Sequence, residues 1–96
     1  MTVDVRSVHF DLGEESRKYL DLKLERIAYA KDMIVDLIFV MTKEKDFKFE
    51  ATVNFRWGVQ AHLEERDFEV NTAIDKLIDR LEQKISKEKE KVQERK

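Results

Sequence analysis

The stretch Phe47-Lys48-Phe49-Glu50-Ala51-Thr52-Val53-Asn54-Phe55-Arg56-Trp57-Gly58 decides the fold. Its odd positions from Phe47 to Trp57 are apolar, and Lys48, Glu50, Thr52, Asn54 and Arg56 between them are polar. Successive side chains of a strand point to opposite faces, so a period of two marks a strand with one face buried and one in water. Gly58 supplies a tight turn. Val59, Ala61 and Leu63 then continue as another strand, opposite Gln60, His62 and Glu64. The two runs form a hairpin.

Upstream, Lys43-Glu44-Lys45-Asp46 reads as a polar turn after Met33 to Met41, a run rich in Ile, Val and Phe. That run is apolar on both faces apart from Asp36, which predicts a strand buried on both sides or nearly so. Thr2 to Val8 alternates again, with Val3 and Val5 opposite Thr2, Asp4 and Arg6. Between these strands, Gly13 with Glu14-Glu15 suits a helix start, because carboxylates in the first turn oppose the helix dipole. Leu20, Leu24 and Ile27 recur at helical spacing with Tyr19 beside them, which predicts one helix to about Lys31.

Downstream, Asp67 is placed to cap a last helix whose apolar stripe is Val70, Ile74, Leu77, Leu81 and Ile85. Burial of those five side chains contributes at most about 10 kcal/mol, at roughly 2 kcal/mol each. After Ile85 only Val92 is apolar, so residues 86–96 read as a charged helix end that projects or frays. A helix from Phe68 to near Arg95 is about 40 Å long, against about 30 Å for a compact domain of this size.

The element order is therefore β-α-β-β-β-α. A strand, helix and strand in succession favour a parallel pair with a right-handed crossover, and the later strands add as hairpins. The expected fold is α+β, a two-layer sandwich of a four-stranded mixed sheet with two helices on one face. Asp4, Arg6, Lys48, Glu50, Asn54, Arg56 and His62 give the other face a polar surface that can meet water. With 96 residues, no proline and two glycines, the chain is expected to form one domain over 1–96, without a linker or repeat.

Composition excludes several classes of function. There is no cysteine, hence no disulfide and no thiolate metal site. His9 and His62 are the only histidines and have no carboxylates at ligand spacing, so no metal and no cofactor are expected. No phosphate-binding loop, nucleophile motif or pocket glycine accompanies Asp75 and Asp79, one helical turn apart; salt bridges with Lys76, Arg80 or Lys84 are the simpler reading. The chain reads as non-enzymatic. The N-terminus lacks the pattern of a secretory signal and the longest apolar run is too short for a bilayer, so a cytoplasmic location without membrane or small-molecule partners is expected.

Several strings resemble the hibernation promoting factor and ribosome-associated inhibitor family, in its short, sigma-54 modulation protein-like form. They are Val8-His9-Phe10, Lys23-Leu24-Glu25-Arg26-Ile27, Glu50-Ala51-Thr52-Val53, His62 and, above all, Ala73-Ile74-Asp75-Lys76-Leu77-Ile78-Asp79-Arg80-Leu81-Glu82. The resemblance implies a cytoplasmic protein similar in fold to a double-stranded RNA-binding domain. It implies binding to ribosomal RNA of the small ribosomal subunit, in the decoding channel where messenger and transfer RNA would sit, and silencing of idle ribosomes under stress. Val8, Asn71, Gln83, Ser86 and Glu88 depart from residues common in that family. The chain ends where long-form members add a linker and a dimerising domain, so ribosome pairing through such a domain is not expected.

RNA binding needs cations arranged to meet phosphates. Residues 1–75 carry 11 basic and 16 acidic side chains, whereas residues 76–96 carry 8 basic and 5 acidic. On the last helix Lys76, Arg80, Lys84 and Lys87 follow at spacings of four, four and three, and Lys91 continues the stripe. Lys23 and Arg26 extend the same surface if the two helices pack side by side. These seven are the candidate ribosomal-RNA contacts, positioning the protein on phosphates with little base readout. A different reading of the same residues is a solvated, ion-paired face. The protein would then be an interaction module that uses its charged helix or a sheet edge and has no RNA role. The aromatic series is assigned to the core, with Trp57 at the strand end as the place where base stacking is conceivable.

Overall fold

A computed structural model describes residues 1–94. The elements are β1 (Thr2–Val8), α1 (Glu14–Leu24), a 3₁₀ segment (Glu25–Ala30), β2 (Ile34–Lys43), β3 (Phe47–Phe55), β4 (Gln60–Asp67) and α2 (Val70–Glu94). The sheet order is β1-β2-β3-β4, with β1 parallel to β2 and the other two pairings antiparallel. The expected α+β architecture and element order hold.

Three local expectations need correction. The predicted first helix stops at Leu24, and the chain continues as 3₁₀ to Ala30. Leu24, Ile27 and Ala30 are three residues apart, and a helix of three residues per turn stacks them on one face. Ile27 and Ala30 are fully buried there. The sequence signal for this was the spacing of three.

β2 is buried on one face, not two. Leu37, Phe39 and Met41 face the core, while Ile38 and Val40 are partly exposed and Val35 is exposed. The register against β3 shifts between Ile34 and Asp36, and this irregularity buries Ile34 although its parity differs from that of Leu37. On the open face the Asn54 amide donates to Asp36 and the Gln60 amide donates to Asn54 across 2.8 Å. Asp36 thus begins a polar ladder across three strands and does not interrupt a buried one.

β3 ends at Phe55, and Trp57 and Val59 belong to the turn. Gly58 has φ 86°, the Gly58 N–H donates to the Phe55 carbonyl (3.1 Å), and the Phe55 N–H donates to the Val59 carbonyl (2.8 Å). Glycine adopts this left-handed conformation without the clash that a Cβ brings. Trp57 nonetheless packs inward. Its ring stacks on Phe55 at 5.1 Å, in keeping with a core role for the series.

The core lies between the sheet and the helices, with Phe39 and Phe49 stacked at 5.2 Å and Leu20, Ile74, Leu77, Ile78, Leu81 and Ile85 above them. Asp67 accepts from the Glu69 N–H at 3.0 Å just before α2, and the Ala73 N–H to Glu69 carbonyl bond opens the helix. α2 stays helical to Glu94, the molecule's longest dimension being 45 Å. The chain makes contact one turn beyond Ile85, because Glu88 is buried beside Trp57. The last two residues of the expected projecting end lie outside the described residues.

Candidate nucleic-acid interface

α1 and α2 do pack side by side, through a polar ladder. Ser16 donates to Asn71 (3.3 Å), the Tyr19 hydroxyl donates to Asp75 (2.6 Å), and the Lys23 ammonium lies 3.3 Å from the same carboxylate. Arg26 donates to Asp79 at 2.9 Å, and its other terminal nitrogen sits 2.8 Å from Glu82 without hydrogen-bond alignment. Asp75 and Asp79 do form salt bridges, as expected, but with Lys23 of α1 and Arg26 of the 3₁₀ segment and not with cations of their own helix. Hydrogen bonding to Asp75 holds the Lys23 ammonium above its usual pKa, and Asp79 does the same for Arg26. Both cations are charged at neutral pH.

The stripe on α2 faces the opposite flank. Lys76 pairs with Asp67 at 2.9 Å and donates to the Arg66 carbonyl at 3.3 Å. Arg80 donates to the Glu64 carbonyl at 2.8 Å and to the Glu65 carboxylate at 3.1 Å. These contacts wrap the two side chains over β4. Lys23 and Arg26 therefore do not continue the stripe directly; Asp75, Asp79 and Glu82 come between. At 100° per residue Asp75 and Asp79 each lie about a quarter turn from the cation that follows them, Lys76 and Arg80.

Lys87 joins the two flanks. It lines a cleft of about 430 Å³ with Arg26, Asp79, Glu82, Gln83 and Ser86. It also lines a smaller one of about 170 Å³ with Leu63, Arg80, Gln83 and Lys84. Among the described residues Lys87 is the one candidate of the seven without a carboxylate within ion-pair distance.

Lys84 and Lys91 converge on one carboxylate. The Glu88 Oε1 lies 3.2 Å from Lys84 and 3.5 Å from Lys91, and the Trp57 indole N–H donates to Oε2 at 3.4 Å. Burial pushes the Glu88 carboxyl up, but Lys84, the Trp57 N–H and Lys91 together hold it below the usual carboxylate range. Sequence reading missed this cluster. The partner of Glu88 lies 31 positions away, and no periodicity links it to Trp57. Elsewhere, His62 on the open sheet face bonds to Thr52 (3.1 Å) and faces Glu50 (3.4 Å). Among the described residues no three His, Cys, Asp or Glu side chains gather to hold a metal, and no helix is long and apolar enough to cross a membrane.

The result is a helix with cations along both flanks and a fold whose other sheet face is open. Residues 3–93 match the model of the Sigma 54 modulation protein / S30EA ribosomal protein family. The chain belongs to this family. It is 35% identical over 95 residues to a ribosome hibernation promoting factor of Pseudomonas putida, covering 97% of this chain and 91% of that one. It is 34% identical over 97 residues to one of Azotobacter vinelandii, covering 99% and 89%. Two solved structures share the fold of this S30EA-family chain. A ribosomal subunit interface protein from Coxiella burnetii has a TM-score of 0.84 at 22% identity, covering 93% of this chain and 98% of its own. The N-terminal domain of Protein Y from Thermus thermophilus has 0.78 at 24% identity, covering 91% and 98%. The relatives' name describes a ribosome factor and not a catalyst, and the non-enzymatic reading agrees with it.

Proposed function

We propose that this chain is a cytoplasmic ribosome hibernation factor. It acts as one ribosome-binding unit over residues 1–96, occupies the decoding channel of the small ribosomal subunit, and stops idle ribosomes from translating. The observation that carries the reading is the match over nearly the whole chain to proteins named ribosome hibernation promoting factor. The geometry supports it in a specific way. Cations on a rigid helix and at its seam with α1 present charge at fixed spacing, which suits a folded RNA backbone and needs no base-specific contact. Lys87, at the meeting of the two clefts, is the central contact, with Arg26 and Lys23 on one side and Arg80 and Lys76 on the other, while Lys84 and Lys91 are paired with Glu88 and stand outside this set.

The test is co-sedimentation with purified small subunits at rising salt, together with inhibition of translation in a purified system. Binding that weakens steeply with salt, and falls when Lys87 is changed to Glu, is the expected result. A protein that stays in the supernatant at low salt while self-associating independently of salt overturns the ribosome reading. It would instead support an interaction module working through the charged helix or a sheet edge.

A further inference from the structure

Glu88 is 4% exposed, the one buried charged residue among those described. It sits against a cleft of about 250 Å³ lined by Trp57, Val59, Lys84, Lys91 and Val92, with one oxygen toward two ammonium groups and the other toward the indole N–H. The Lys84 side chain is 30% exposed and that of Lys91 59%, so both ammoniums lie at the surface while their counter-ion lies beneath it.

We propose that Glu88 is a built-in competitor for phosphate, which withholds Lys84 and Lys91 from RNA and so sets the affinity of the α2 surface. The inference rests on the ribosome-binding reading and deepens it. The reason lies in burial. The carboxylates of Asp67 and Glu65, which pair with Lys76 and Arg80, are 24% and 28% exposed and can take water when their cation turns to a phosphate. Exposed pairs of this kind hold their partners weakly. Glu88 has no such recourse. If Lys84 and Lys91 swing outward, the carboxylate remains desolvated with only a long indole hydrogen bond, and an unpaired buried charge is costly. The native chain therefore engages phosphate mainly through cations outside this cluster, Lys87 foremost.

The experiment compares the native protein with Glu88→Gln, Glu90→Gln and Lys84→Gln/Lys91→Gln. Each carboxamide variant removes one negative charge from α2, but Glu90 is exposed and pairs with neither lysine. Glutamine at 88 keeps an acceptor for the Trp57 N–H, and thermal melts establish that each variant is folded. Affinity for purified small subunits is measured from about 50 to 200 mM salt, and each new phosphate contact steepens the logarithmic slope by roughly 0.7–0.9.

Glu88→Gln is expected to bind several-fold tighter at low salt, with a slope steeper by about 1.5 for the two freed lysines, while Glu90→Gln changes the slope little. Lys84→Gln/Lys91→Gln is expected to bind nearly as the native protein does. Identical behaviour of the two carboxamide variants overturns the proposal, and so does a large loss of affinity in the double lysine variant. If none of the proteins binds small subunits, the ribosome reading falls. Retention on heparin then decides the role of Glu88: later elution of Glu88→Gln than of Glu90→Gln supports it, and equal elution overturns it.

Discussion

Arg80 reaches from α2 to the outer strand and donates to the backbone carbonyl of Glu64 across 2.8 Å. Two residues further along β4, the Arg66 carbonyl accepts from Lys76. β4 ends the sheet and pairs only with β3, so the two cations cover an edge that would otherwise invite another strand. Part of what looks like an RNA-binding stripe is thus also the protection of a sheet edge.

Removing that cover is expected to show in assembly. Arg80→Ala, alone or with Lys76→Ala, loses about 1 kcal/mol of stability for the hydrogen bonds to Glu64 and Glu65. It also self-associates more than the parent protein as concentration rises. Sedimentation velocity over a concentration series checks this. Unchanged sedimentation would mean that the edge is guarded by other means.

Lys87 separates binding from folding. Lys87→Glu removes no ion pair among those described, so its melting is expected to stay within about 0.5 kcal/mol of the parent. Its affinity for small subunits should drop several-fold, with a shallower salt slope. A stable variant with undiminished affinity would remove Lys87 from the contact set.

Asp67 links stability to pH. The Glu69 N–H and the Lys76 ammonium hold its carboxyl below its ordinary value of 3.8. The folded state therefore binds this proton less readily than the unfolded chain. The stabilisation is fully present above the ordinary carboxylate range and is lost as pH falls through the lower, folded value. Glu88, depressed from 4.5, adds to stability in the same direction. Asp67→Asn is expected to flatten the acid limb of the stability curve, as read from urea unfolding at a series of pH values, with little change in slope near neutrality.

Gly58 is a test of backbone geometry alone. A Cβ built there meets nothing within 4 Å, but φ is 86°. Gly58→Ala is expected to lose about 1 kcal/mol through the left-handed conformation and not through contact, and Gly58→Asn less. Equal stability of all three proteins in thermal melts would show that the turn can relax into another form.

The sequence by itself determined the order of elements and which residues face the core. Alternation over Phe47–Phe55 and the stripe from Val70 to Ile85 are local signals, because a strand repeats every two residues and a helix about every 3.6. It also showed that positive charge gathers on α2. Two local features misled. The long apolar run of β2 looked buried twice over, although Ile38 and Val40 border an open face. Leu20, Leu24 and Ile27 suggest one helix to about Lys31, whereas Leu24, Ile27 and Ala30 repeat by three and the chain after Leu24 is 3₁₀.

Tertiary structure alone decided which cations are held and by what. Lys23 and Arg26 meet Asp75 and Asp79 more than 50 positions away, and Lys76 and Arg80 turn to β4. A helical wheel places side chains around an axis but says nothing of the neighbours on either flank. The packing of α2 between α1 and β4 divides one apparent stripe into two. It also buries Glu88 between Lys84 and Lys91 and leaves Lys87 at the junction.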